Sequence, residues 1–417
     1  MCAVIRYGSS LRTAPIAETL AHARVLAPRV GITRVTEITR LDRIGMPVFA
    51  GIRPHAQVRS LCVSSGKGLT PDEARIGAYM EAIELAYAEP ARANVKIVEA
   101  HASDVLDGAH RPNAIADLAP WNGKRIAPGA RIPCVELASI AGGDHMIVPA
   151  ELVMFPMLVE PLVFGSDGNG IASGNSVDEA TVHGLTELIE RDATSFLNIM
   201  DDSRLIEPMS LPATIRDFVQ HLDALGFDLA LRYLPSPFGL PVIKAMIHER
   251  GSLDGVHFGY ACHLDRDIAL SRAVSEALQC RLSVIHGGRD DLTRVFSERA
   301  EMTPGEKREF VDRQVSRNLR TSGAAVRFDE LPDESVHASS ISAALQLLVH
   351  RLAQNDLPIA LRAVLTPADS SLHVIRVIVP GLEVYAHGIH RMGPRLLRDL
   401  RERAHGSAES SPSETSR

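Results

Sequence analysis

Ser65-Gly66-Lys67-Gly68-Leu69-Thr70-Pro71-Asp72-Glu73-Ala74 runs into an apolar stretch that carries Glu81 and Glu84. The same layout returns 106 residues downstream as Gly174-Asn175-Ser176-Val177-Asp178-Glu179-Ala180, followed by Glu187 and Glu190. Each copy predicts a glycine loop, a capping box (Thr70 with Glu73, Ser176 with Glu179) and an amphipathic helix. Pro71 suits the first helical position, where its missing N–H is not needed. Glu at i and i+3 puts both carboxylates of each copy on one helix face. A third helix repeats part of the pattern: Asp265 is a fitting N-cap, Glu276 takes the place of the first Glu, and Gln279 that of the second.

A Glu-x-x-Glu pair standing alone reads as a solvated helix face, since like charges in water repel by only about 0.2–0.5 kcal/mol. Two pairs in register within helices rich in Ala, Ile, Leu and Met read differently. Carboxylates on partly buried helices need a counter-charge, and a hard divalent cation supplies one.

The totals narrow the function. At 417 residues the chain predicts two or three packed units, and 45% hydrophobic content supports a sizeable core. Aromatic residues make up 4% and the net charge is −7, which disfavours a nucleic-acid partner. The five cysteines (Cys2, Cys62, Cys134, Cys262, Cys280) show no Cys-x-x-Cys spacing, so neither a zinc ribbon nor a disulfide framework is expected, and Cys62, Cys262 and Cys280 read as inert core thiols. Neither a signal peptide nor an apolar run long enough to span a membrane is present, and a cytoplasmic location is the expectation.

Along the chain, a helix is expected from Ile16, a hairpin over Cys134–Val148 turning at Gly142-Gly143-Asp144, and strands at Phe227–Tyr233, Val242–His248, Val256–His263 and Leu372–Val379. Helices follow at Gly305–Arg320 and Ser339–Asn355, and residues 405–417 read as a disordered tail. The fold class is α+β, with mixed sheets covered by helices and two similar layers meeting at a shared site. The divisions are an N-terminal part at 1–60, a core at 61–290 containing both loop–helix units, a C-terminal part at 291–404, and the tail.

The glycine loop before a helix N-terminus favours an anion. It lacks the Walker A spacing, and no Gly-x-Ser-x-Gly, His-Glu-x-x-His or Gly-x-Gly-x-x-Gly motif occurs. A phosphate-binding loop beside four to six carboxylates points to Mg²⁺-bridged nucleotide phosphates. Arg191 and the group Arg281, Arg289, Asp290, Asp291 can steady a transferring phosphoryl group, and Asn175 can reach phosphate or ribose. With no covalent nucleophile in evidence, the work of such a site is positioning and charge stabilisation.

These residues resemble the YcaO family. The matching stretches are Ser65-Gly66-Lys67-Gly68 with Glu81 and Glu84, Gly170-Ile171-Ala172-Ser173-Gly174-Asn175 with Glu187-Leu188-Ile189-Glu190-Arg191-Asp192, and Glu276-Ala277-Leu278-Gln279-Cys280-Arg281 with Arg289-Asp290-Asp291. The resemblance implies ATP- and Mg²⁺-dependent activation of a peptide backbone amide through phosphorylation of its oxygen. On that basis Glu81, Glu84, Glu187, Glu190 and Glu276 hold Mg²⁺. Ser65, Lys67, Asn175, Glu179, Arg191, Gln279 and Arg289 contact ATP, joined by Arg12 and Thr19, and Arg191 and Arg289 are the catalytic pair. The C-terminus lacks the Pro-x-Pro-x-Pro end common in azoline-forming members. The chain looks more like stand-alone members that work with a TfuA protein to make thioamides from a peptide or protein substrate. An azoline-forming cyclodehydratase and a non-catalytic ATP-binding scaffold are the alternatives, and a homodimer is the expected assembly.

Overall fold

A computed structural model describes residues 4–106, 114–158, 162–319, 323–386 and 388–409. Its organisation follows from one local unit used three times: a short strand, a turn and a long helix that folds back over the strand. The strands are Val63–Lys67, Ile171–Gly174 and His257–Cys262, and the helices that follow them are Pro71–Ala88, Val177–Ile199 and Arg266–His286. We call these the first, second and third core helices. Each packs on the strand that leads into it.

Small residues allow that close return. A Cβ added at Gly66 would stand 2.0 Å from the Ala78 nitrogen and 2.2 Å from the Ala74 oxygen. One at Gly259 would stand 2.2 Å from the Ala273 oxygen and 2.3 Å from the Ala277 nitrogen. In both places a helix backbone lies directly on a strand backbone, with Ala on the helix and Gly on the strand. Gly66→Ala is therefore expected to cost at least about 3 kcal/mol, because backbone cannot yield as a side-chain end can. Denaturant unfolding checks this, and a cost below about 1 kcal/mol would refute the tight approach.

Each of the three strands is the edge of a different sheet. Val63–Lys67 ends an antiparallel sheet of three strands, after Arg34–Glu37 and Val48–Ile52. Ile171–Gly174 ends a sheet of six, next to His373–Ile378. His257–Cys262 ends a sheet of five, beside Val242–Glu249 and Phe227–Leu234, in which the pairing of Arg204–Ile206 with Ala325–Val326 is parallel. The α+β class holds, with mixed sheets and helical cover. The two expected layers are corrected to three sheets: the partial third copy builds a full third unit. A separate two-stranded hairpin, Ile5–Tyr7 with Ser10–Arg12, lies before the helix Ile16–Leu26.

The start signals work as read, with one correction. Thr70 and Ser176 accept the N–H of Glu73 and Glu179, and Asp265 accepts those of Asp267 and Ile268. The return half of each expected capping box lands one residue early: Glu73 takes the N–H of Leu69 and Glu179 that of Asn175. Both carboxylates also reach the N-terminal segment: Glu179 with its other oxygen, and Glu73 with the same one.

The hairpin Arg131–Ser139 with His145–Pro149 turns as expected, with Gly142 and Gly143 at φ 93° and 92°. The last helix, Pro394–Glu409, corrects the tail assigned to 405–417, as Ala404 and Ala408 favour its continuation; residues 410–417 lie outside the described residues. Arg320, the expected end of the helix that runs Pro304–Asn318, also lies outside them. Among the described residues no helix is long and apolar enough to cross a membrane.

Candidate active site

The three sheet edges and three core helices enclose a cavity of about 550 Å³. Ser65 and Lys67 face it from the first unit, Ser173 and Asn175 from the second, and Phe258 from the third. Glu81 and Glu84 reach it from the first core helix, Glu179, Glu187 and Arg191 from the second, and Glu276 and Gln279 from the third. Arg289, Arg12 and Thr19 line it as well. Thirteen of the fourteen expected site residues thus line one space. Glu190 is the exception: it is buried behind Arg191, whose guanidinium stands 3.5 Å away.

Local contacts hold this lining in place. The Ser65 N–H donates to Glu81 at 2.7 Å, and the Ser65 carbonyl accepts from the Gln279 amide at 2.5 Å. The open edge of Val63–Lys67 is satisfied by side chains from two helices rather than by another strand. Ser173 donates to Glu84 at 2.5 Å, and the Lys67 ammonium meets Glu276 at 2.5 Å. Thr19 donates to the Asn175 side chain at 2.8 Å.

The carboxylates are numerous and short of counter-charge. Burial pushes the Glu84 carboxyl up to about 8 and that of Glu187 up to about 7. Burial also raises Glu81 and Glu190. Burial is the largest single influence on Glu276 and Glu179 too, but Lys67 with Arg191 and Arg272 at the first, and Arg12 with Thr13 and Asn175 at the second, together outweigh it, so both lie below the usual carboxylate range.

The cations have donors to spare. The Nε of Arg191 is buried without a hydrogen-bond partner, and Glu187 lies 3.9 Å away, an ion pair but not a hydrogen bond. Arg272 lines the cavity too, and its guanidinium lies 3.0 Å from Nε2 of His183. Burial keeps that imidazole neutral, with its pKa far below the ordinary value. Arg272 was missed in the sequence, although it stands one helical turn before Glu276 and so shares its face.

Two assignments change. Arg281, grouped with the phosphate-steadying charges, turns away to Asp42 at 2.7 Å and Glu249 at 2.6 Å, and stacks on Phe227. Cys280, read as an inert core thiol, lines the cavity, and Cys62 is also only half-buried. Asp290 accepts from the Cys62 backbone, while Asp291 pairs with Arg289 at 2.8 Å.

The residue set fits a metal-bridged polyphosphate: crowded carboxyls for the cation, and the guanidinium groups of Arg191, Arg272 and Arg289 with the Lys67 ammonium for the phosphates. Among the described residues no three His, Cys, Asp or Glu side chains form a ready-made metal cage. Mg²⁺ asks for less, keeping waters and taking one or two carboxylates with phosphate oxygens.

The raised carboxyls predict a pH dependence for the metal-free protein. Unfolded, Glu84 and Glu187 return to the ordinary value of 4.5, so near neutral pH the native state holds protons that the unfolded chain has lost. Their contribution is fully present below 4.5, is lost progressively as pH rises to about 7 for Glu187 and about 8 for Glu84, and changes no further above those values. The buried His183, His257 and His263 have lowered pKa values and act with the opposite sign below the ordinary 6.5, so the carboxyls act alone only above it. Thermal stability is expected to fall between about pH 6.5 and about pH 8 and to level off above that, and Mg²⁺ with a non-hydrolysable nucleotide should flatten the slope. A metal-free melting temperature that rises across the same interval would contradict the assignment.

The YcaO family model, described as a cyclodehydratase that binds ATP and Mg²⁺, matches residues 65–383. A protein of Methanothermobacter thermautotrophicus is 32% identical over 382 residues, covering 88% of this chain and 94% of its own length. A protein of Rhizobium leguminosarum bv. trifolii, named for its position in the tfuA 3′ region, is 31% identical over 403 residues and covers 92% of each chain. The solved structure of YcaO from Methanopyrus kandleri bound with AMPPCP and Mg²⁺ has the same fold, with a TM-score of 0.74 at 24% identity over 94% of this chain and 98% of that one.

Proposed function

The chain belongs to the YcaO family, and from that premise we propose that it activates a peptide backbone amide with ATP and Mg²⁺, most specifically to make a thioamide. The observation that carries the reading is the gathering of raised carboxyls, the partnerless Nε of Arg191 and the cations Lys67, Arg272 and Arg289 around one cavity. ATP bound there supplies the phosphoryl group that takes up the amide oxygen and departs with it as phosphate. Glu81, Glu84, Glu187 and Glu276 hold Mg²⁺; Lys67, Arg191 and Arg272 face the phosphates, and Asn175, Gln279, Ser65 and Arg289 complete the nucleotide contacts. Glu190 acts through Arg191, whose guanidinium it orients. These charges are fixed before the reaction, so they stabilise the developing negative charge without reorganising.

Sulfide or a sulfide donor attacks the activated carbonyl carbon, C–O cleavage releases phosphate, and loss of a proton leaves C=S. The relative from the tfuA 3′ region favours a TfuA-type partner for this step. The family model's description favours the alternative, in which a Cys, Ser or Thr side chain of the substrate attacks and closes an azoline ring. Phosphate release with candidate peptides, sulfide and a TfuA-type partner, read together with peptide mass, separates the two. A gain of about 16 Da is expected for the thioamide, and a loss of about 18 Da identifies ring closure. Phosphate release that no peptide stimulates, with peptide mass unchanged, would refute both.

A further inference from the structure

Every third residue of the N-terminal hairpin is tied to the start of a different core helix. Arg6 binds Asp265, the N-cap of the third, at 2.5 and 2.7 Å. Ser9 donates to Glu73 in the first turn of the first helix at 2.6 Å. Arg12 meets Glu179 in the first turn of the second helix at 3.1 Å, and Thr13 adds its N–H at 2.8 Å and its hydroxyl at 2.6 Å. The hairpin pairs with no other strand among the described residues. A two-stranded ribbon is marginal by itself, so these ties hold it in place. Its inner side, Tyr7, Ser9, Ser10 and Arg12, forms one wall of the cavity.

Glu179 has nothing left for a ligand. Besides Arg12 and Thr13 it accepts the Asn175 N–H at 3.3 Å and the Asn175 side-chain amide at 3.1 Å, and it is 2% exposed. A carboxylate offers about four lone-pair sites, and these partners fill them. We propose that the hairpin is a detachable wall through which the nucleotide enters, and that Glu179 is the positioning residue that fastens it rather than a nucleotide contact. The proposal rests on the nucleotide-binding reading above. The ties suit release: they are short polar contacts between residues far apart in sequence, and Arg6 is half exposed.

The test is Arg6→Ala, at a residue outside the cavity lining, with Glu179→Gln beside it. Hydrogen exchange over residues 5–13 and stopped-flow binding of a fluorescent non-hydrolysable ATP analogue with Mg²⁺ are read for each. Arg6→Ala is expected to quicken exchange and to raise association and dissociation rates together by about tenfold, leaving Kd nearly unchanged, since only a charged hydrogen bond of the wall is lost. Glu179→Gln is expected to raise both rates as well. Unchanged exchange, or unchanged rates with Arg6→Ala, overturns the detachable wall. A rise confined to dissociation with Glu179→Gln overturns its positioning role. If the wild-type chain binds no analogue at all, the nucleotide reading falls and takes the entrance with it.

Discussion

Glu187→Gln and Glu81→Gln are each expected to lower Mg²⁺-dependent phosphate release by about 10³-fold while making the metal-free protein more stable. The two effects share a cause. Both carboxyls lie among like charges, with Glu190 and Glu276 acting on Glu187 and Glu276 on Glu81, and burial raises both above the ordinary value. Without the metal this crowding is a cost, which an uncharged side chain of the same shape removes. In the proposed reaction these charges bind the metal, and Gln cannot replace them. The Gln oxygen at position 81 still accepts the Ser65 N–H, so loss of that hydrogen bond does not enter the comparison. Melting temperatures of the metal-free variants and steady-state phosphate release check the pair of signs. Activity within a few-fold of wild type would refute the metal role. A lowered melting temperature would show that the carboxylates support the fold instead.

Much of this site was legible because it is written in short-range code. Cap, glycine and helical spacing are local, so Thr70, Ser176 and Asp265 announced the three helices and the i, i+3 pairs announced which face mattered. The convergence was not local. Nothing within Val63–Lys67, Ile171–Gly174 or His257–Cys262 says that each is the edge of its sheet, because an edge is defined by strands distant in sequence. The same limit explains Arg281, whose partner Asp42 lies more than two hundred residues away. It explains the hairpin too, since Arg6 and Ser9 look like ordinary surface residues until their carboxylates are placed beside them, and Arg12 was expected at ATP rather than at Glu179. Arg272 differs: its one-turn spacing from Glu276 is local, but it reads as an ordinary i, i+4 ion pair until His183, distant in sequence, is placed beside it at the cavity.

Arg191 carries the sharpest separation of structural from chemical work. Its guanidinium neutralises Glu190 at 3.5 Å and Glu187 at 3.9 Å inside the protein, while its Nε stays unpartnered. Arg191→Ala leaves two crowded carboxyls without their cation, a loss of about 3–5 kcal/mol for a broken buried pair. It also removes the donor that the proposed mechanism assigns to developing charge, so phosphate release is expected to fall by about 10²–10³-fold. Adding Glu190→Gln removes the larger part of the stranded charge, and the double variant should recover most of the lost stability. Activity should not return, because the donor is still missing. A double-mutant cycle read both by denaturant unfolding and by phosphate release therefore shows stability restored in the first, while in the second the double variant stays at the level of Arg191→Ala, since Glu190 acts only through the lost guanidinium. If activity recovered along with stability, Arg191 would be holding the helix together and nothing more. If neither recovered, the cation would be answering chiefly to Glu187, and the partner to neutralise in the cycle would be that residue, which faces the cavity directly.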